Sequence, residues 1–281
     1  MNQEVTEILE REIVTETLKS QGPKLPLGTM GQGGEYLKDI EVRPWRFSEE
    51  REIGKLRAEN KGLNVAQLVN LTLAVMCKKL GMYDFESMPL PERKAVISMM
   101  TMPDVLYAYA WLRRESMGSE IKFDPRCPGC GHDFVFIADL DSMDVKIVSD
   151  LKFALWDYEL KVPIMIRNKE VKKLTFGPAI WNALEAMGNT GISELDVGAT
   201  KSGIILGSIH SVDELGEIRL ADHELDDMVK YDIERLSFLI DEKAIGPDLS
   251  LEGVCPRQRC GRKFRMPIPW ATDDFFAASS P

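Results

Sequence analysis

The 281-residue sequence lacks any stretch of the ~18 consecutive apolar residues that a membrane-crossing helix needs, and Met1 leads into Asn2-Gln3-Glu4 without a basic, then apolar, leader. Membrane spanning and export are therefore not expected. Histidine is scarce: His132, His210 and His223 are all there are. Neither H-E-x-x-H nor G-x-S-x-G occurs, which excludes a zincin helix and a nucleophile elbow. The glycine cluster Gly28, Gly31, Gly33 and Gly34 is not followed by Gly-Lys-Ser/Thr, so it reads as a loop and not as a phosphate cradle. Acidic pairs abound, but among 45 Asp and Glu residues they arise by chance. With no catalytic signature, the chain is expected not to be an enzyme. Positive charge is also short. Lys and Arg number 35, the net charge is −10, and such a chain repels nucleic acid unless its cations gather in one place.

What is present suits a folded protein. Apolar residues make up 44% and charged residues 28%, near the globular average, and the length suggests about two domains or one with a large insertion. Residues 1–20 place Val5, Ile8, Leu9, Ile13, Val14 and Leu18 near helical spacing, predicting a free-standing amphipathic helix that Gly22 and Pro23 stop. Residues 21–47 read as a glycine-rich loop and then the strand and turn of DIEVRPWRF. Residues 48–119 read as a small helical bundle. Asn64 caps a helix expected to end at Lys78-Lys79, and Pro91 and Pro103 open two more. From Glu120 the texture turns to β, with EIKFD, HDFVFIADL and DYELKVPIMIRN. Helices return over 178–187, around 202–210 and along the stripe Leu225, Met228, Val229, Ile233, Leu236, Leu239, Ile240. LSLEGV and RKFRMPI read as closing strands before a tail, 271–281, that contains Phe275-Phe276.

Four of the five cysteines form two matching knuckles, Cys127-Pro-Gly-Cys130-Gly and Cys255-Pro-Arg-Gln-Arg-Cys260-Gly, each followed by a strand with a phenylalanine, Phe134 or Phe264, in the same place. The pieces read as an internal repeat. Two knuckles on two hairpins build a zinc ribbon, because a tetrahedral ion needs four soft ligands and each turn supplies two. Cys130 and Cys255 are separated by 124 residues. Closing such a loop costs roughly 4 kcal/mol, less than the ~10 to 16 kcal/mol that structural zinc contributes in small fingers. Disulfides, a redox Cys-x-x-Cys centre and four unrelated buried thiols are the competing readings. Four cysteine ligands close the metal's shell, so the expected role of one Zn2+ per chain is structural. His132 reads as a surface residue and Cys77, in an apolar run, as core. Arg257, Arg259, Arg262, Lys263 and Arg265 surround the second knuckle, either as a nucleic-acid face or, as favoured here, as compensation for the formal −2 of a zinc tetrathiolate. Val5, Ile8 and Leu9, with Phe275 and Phe276, are candidate partner-binding residues near the chain ends.

The order of LPLGTMGQGGEYLKDIEVRPWRFSEER, a helical block, CPGCG with HDFVFIADLDSMDV, an α+β stretch, and CPRQRCGRKFRMPIPWATDDFF resembles the zinc-ribbon baseplate hub and hub-assembly proteins of contractile-tailed, T-even-like bacteriophages, over residues ~24 to 276. Three residues follow the proline of the second knuckle where that family more often has one, and residues 1–20 lie outside the resemblance. The resemblance implies a non-enzymatic virion component of the tail baseplate, assembled in the host cytoplasm and bound to hub, wedge or tube subunits. A transient baseplate-assembly chaperone and a nucleic-acid-binding zinc-ribbon regulator are the alternatives. The expected architecture is α+β: a helical N-terminal region and a split zinc ribbon, residues 120–150 and 243–270, interrupted by an α+β insertion over 151–242.

Overall fold

The computed structural model describes residues 13–187, 197–213, 215–218 and 220–268. It opens with strand β1 (Ile13–Thr17), where a helix was expected, and a single helical turn, α1 (Leu18–Gln21). Four of the five residues of β1 are β-branched, and its backbone pairs antiparallel with residues 144–148, from Ile13↔Val148 to Thr17↔Asp144. The helical spacing of Ile13, Val14 and Leu18 is thus overridden by tertiary pairing. Val5, Ile8 and Leu9 lie outside the described residues. Strands β2 (Lys24–Met30) and β3 (Tyr36–Val42) form an antiparallel pair, so part of the expected glycine loop is regular structure. Gly28 makes this possible: its φ is 93°, and a Cβ there would sit 2.6 Å from the Leu37 carbonyl oxygen of β3.

Helices α2 (Phe47–Glu59) and α3 (Val65–Met76) follow. The Asn64 side chain accepts from the Gln67 amide at 2.8 Å, while Gln67 returns a bond to the Asn64 amide, a reciprocal cap. α3 stops at Met76, short of Lys78-Lys79. Cys77 turns extended and begins β4 (Cys77–Leu80), which pairs with β3 and then with β5 (Tyr83–Asp84). The helical block therefore contains strands, because the edge of β3 offers the chain backbone partners that a further helical turn would not. Pro91 and Pro103 sit in the first turns of α4 (Leu90–Met99) and α5 (Met102–Met117). α5 is central, with Val105, Tyr107, Ala108, Tyr109, Ala110 and Leu112 fully buried in a core that also takes Leu18, Leu25, Ile40, Leu73, Cys77, Ile121 and Val145.

Beyond α5 come β6 (Glu120–Phe123), β7 (Phe136–Asp139) and β8 (Asp144–Val148). Helix α6 (Trp181–Met187) packs on the main core through Trp181 and Leu184, whereas a second core lies among β9 (Trp156–Ile166), β10 (Lys169–Phe176), α7 (Val197–Ser208), β11 (Ile209–Val212) and α8 (Lys230–Glu242), built on Ile164, Ile166, Leu174, Phe176, Ile205, Val212 and Leu236. The buried Asp232 carboxylate accepts from the Tyr158 hydroxyl at 2.7 Å and from the Lys161 amide, pinning α8 to β9. The chain ends its described part with β12 (Gly246–Pro247), β13 (Ser250–Val254) and β14 (Lys263–Pro267). Every strand pairing is antiparallel among the described residues, and helices are interspersed with the strands without parallel β-α-β crossovers, consistent with an α+β architecture.

Two contacts set the frame. The sheet β1-β8-β12 places residues 145–146 beside 246–247, so the entry and exit of the second core lie side by side. Asp104, in the first turn of α5, ties β2 to that helix: it accepts from the Leu27 amide at 2.9 Å, the Gly28 amide at 3.2 Å and the Thr101 hydroxyl at 2.8 Å. Burial pushes its carboxyl up from 3.8 to about 6, only partly offset by these donors and by Lys38. The native state then holds the proton more tightly than the unfolded chain. This group's contribution to stability is full below 3.8 and is lost as the pH rises through about 6. In Asp104→Asn that contribution disappears, so the stability difference between wild type and variant should change by about 3 kcal/mol between pH ~3 and ~7 in urea titrations. Parallel pH profiles would contradict the assignment.

Candidate metal centre

Each cysteine pair sits in the loop of a two-stranded hairpin, the first between β6 and β7 and the second between β13 and β14. The two loops close alike. The Cys127 amide donates to the His132 carbonyl at 2.9 Å, and the Cys255 amide donates to the Arg262 carbonyl at 3.0 Å. Gly131 and Gly261, the residues after each second cysteine, both have positive φ, 67° and 54°. Their amides fold back on the Cys127 and Arg257 carbonyls at 2.9 and 3.2 Å. The repeat read from the sequence is therefore a repeat of backbone geometry. The two extra residues of the second knuckle lengthen its turn without changing how it closes.

Side-chain packing brings the hairpins face to face. Within the first hairpin Phe123 meets its cross-strand neighbour Phe136 with ring centroids 5.6 Å apart, and across to the second hairpin Phe134 meets Phe264 edge-on at 6.0 Å. Gly253 leaves room for this: a Cβ there would lie 2.2 Å from Met266 Cε, with Phe264 and Phe136 next in line. Arg262 lies across the first knuckle, where a Cβ on Gly129 would come 2.7 Å from its Cδ. The consequence is a cluster of Cys127, Cys130, Cys255 and Cys260 whose four sulfurs all lie within 4.8 Å of one another.

The sulfur geometry discriminates between chemistries. Cys127 Sγ is 3.9 Å from Cys260 Sγ, and Cys130 Sγ is 3.7 Å from Cys255 Sγ. A disulfide requires about 2.05 Å. A tetrahedron with metal–sulfur bonds of about 2.3 Å has edges of about 3.8 Å, which these distances match. The cysteines are free, and disulfide pairing is excluded by the separation. A redox Cys-x-x-Cys centre is disfavoured too, since Cys127 opens a hairpin turn and not a helix. Cys127 and Cys255 are buried; Cys130 and Cys260 are half-buried. Desolvation raises the Cys127 thiol, but donation from the Gly129 amide at 3.4 Å, the Cys130 amide and neighbouring thiols prevails and brings it down to about 7. Desolvation and the adjacent thiols push Cys255 up to about 12. Four thiols this close oppose one another's ionisation, and a divalent cation is what would let all four ionise together.

The other residues singled out from the sequence take simpler places. His132 is exposed, its ring stacked beside Phe134, and is not a member of the sulfur cluster. Cys77 is wholly buried in the main core, and desolvation pushes its thiol up. Arg257, Arg259, Arg262, Lys263 and Arg265 are exposed, and Arg265 pairs with Asp248. Of the segments 120–150 and 243–270, only 120–139 and 250–267 make the facing hairpins; β8 and β12 join β1 instead. Phe275 and Phe276 lie outside the described residues. The Phe123–Phe136 contact was not identified from the sequence, although the alternation in EIKFD and HDFVFIADL carries it. Comparison with models of known families, with curated proteins and with solved structures finds no match.

If the sulfurs are as described, all five cysteines titrate as free thiols once the metal-free protein is denatured without reductant. Finding three would reveal a disulfide and contradict the geometry.

Proposed function

We propose that Cys127, Cys130, Cys255 and Cys260 hold one structural Zn2+, closing a split zinc ribbon, and that the chain is a non-enzymatic connector of a phage tail baseplate. The observation that supports the metal is the pair of sulfur separations near the tetrahedral edge, on two backbone-equivalent knuckles. Zinc there would supply a closed four-sulfur shell with no position left for water or substrate. The chain's own residues do the remaining work. The amides behind Cys127 and Cys255 orient and stabilise thiolates, and the Phe134–Phe264 contact joins the two hairpins.

Such a joint locks two chain segments to one orientation while β1-β8-β12 holds the second core at its neck. Rigid connection of separated surfaces is what a subunit linking neighbours in an assembly requires. The resemblance of the motif order to baseplate hub and hub-assembly proteins of contractile-tailed phages supplies the setting. In that setting the second core, inserted in sequence between the halves of the ribbon, faces neighbouring tail subunits.

Metal analysis of the purified protein should give one zinc per chain, and Cys255→Ser should lose both the zinc and several kcal/mol of stability. A metal-free protein whose unfolding is unchanged by Cys255→Ser would refute the structural zinc. Mass spectrometry of purified particles of the phage that encodes the chain tests its setting. Its presence at a fixed ratio to other baseplate proteins is expected, and its absence from particles but abundance in infected cells would favour the assembly chaperone.

A further inference from the structure

The second knuckle carries a concentration of charge that its metal would not exhaust. Residues 255–265 hold five cations, Arg257, Arg259, Arg262, Lys263 and Arg265, and no acid. Arg265 is paired with Asp248. Arg257, Arg259, Arg262 and Lys263 are exposed and form no ion pair among the described residues. A tetrathiolate zinc carries a formal charge of about −2, so roughly two positive charges would stay uncompensated. Taking the five cations from the net of −10 leaves −15 on the rest of the chain. That charge is not evenly spread. The stretch 213–227 contains seven acids, Asp213, Glu214, Glu217, Asp222, Glu224, Asp226 and Asp227, against the single cation Arg219. Glu224 is committed to Arg167, but Asp226 and Asp227 are exposed and form no ion pair among the described residues.

We infer that the basic knuckle of one copy docks on the exposed acids Asp213, Glu217, Asp226 and Asp227 of a second copy of this chain. The two surfaces are complementary, lie on different cores, and have no ion pair to each other within the chain among the described residues. Three of the four unpaired cations are arginines, whose planar forks bind carboxylates in bidentate fashion. A duplex nucleic acid is the less suitable occupant, because its continuous phosphate charge meets the −15 of the remaining surface as soon as it extends past the knuckle. Two copies can exchange the contact reciprocally as a two-fold dimer, or it can run head-to-tail into a ring or filament, and the sedimentation coefficient tells these apart. The inference takes the shape of the knuckle from the zinc ribbon proposed above.

Sedimentation velocity on the full chain, across a concentration series, tests this. Self-association is expected at about 0.1 M salt and its loss at about 1 M, where charges more than about 3 Å apart are screened. The triple variant Arg257→Glu, Arg259→Glu, Arg262→Glu should associate about tenfold more weakly or not at all, and so should Asp226→Lys with Asp227→Lys. Mixing the two variants should restore association, since each then offers the surface that the other needs. The aspartate pair is distant from the cysteines in sequence, so a loss in that variant with zinc retained cannot come from a broken knuckle. A wild-type chain that stays monomeric, variants that associate like wild type, or a mixture that stays dissociated overturns the inference. So does knuckle-dependent binding of a 20-base-pair DNA duplex, about the size of a typical operator, without self-association. If the wild type associates as described but carries no zinc, only the metal reading falls.

Discussion

Two pairs of sulfurs separated by 124 residues are held within 4.8 Å, and most of the remaining architecture can be understood as the means of holding them there. The entropy of closing so long a loop is substantial, yet the sulfurs do not bear it alone. β8 and β12 pair at the neck of the second core, β1 covers the other edge of β8, and Lys38 donates to the Val148 carbonyl at the end of β8. Gly246 passes so close to Pro103 of α5 that a Cβ would lie 2.6 Å from it. By the time the chain reaches Cys255, its course has been fixed by the main core. The sulfur cluster is then a local closure on a preorganised frame, which is the condition under which a metal adds most rigidity.

The site was more legible in the sequence than the fold around it. Two Cys-Pro knuckles with a glycine after each second cysteine specify a turn, a left-handed residue and two inward sulfurs by local rules alone, and Gly131 and Gly261 have the positive φ those rules require. The cap at Asn64 and the prolines of α4 and α5 are local in the same sense. Misreadings fall where a distant strand decides. Ile13–Thr17 has apolar residues at helical spacing but joins β8, and Cys77–Leu80 follows a helix with lysines in a favourable final turn but joins β3. Gly28 belongs to neither a loop nor an ordinary strand, because its conformation is dictated by the Leu37 carbonyl across the sheet. Asp104 could not be distinguished from other surface acids until the Leu27 and Gly28 amides were seen to converge on it.

Charge organisation complements the geometry. The main core and the second core are each conventional hydrophobic units, whereas cations are gathered on the knuckle and acids on the 213–227 stretch. A rigid joint with opposite charges on different parts of the molecule suits a protein whose task is to sit in a fixed relation to neighbours. On the reading proposed here the chemistry of the sulfurs is structural, and the surfaces it orients carry the recognition.

The most direct measurement is X-ray absorption at the zinc edge of the purified protein in solution. A first coordination shell of four sulfurs at about 2.3 Å, with no nitrogen or oxygen neighbour, is the expected spectrum. A shell containing oxygen or nitrogen from water or His132, or fewer than four sulfurs, would contradict a closed joint made by Cys127, Cys130, Cys255 and Cys260.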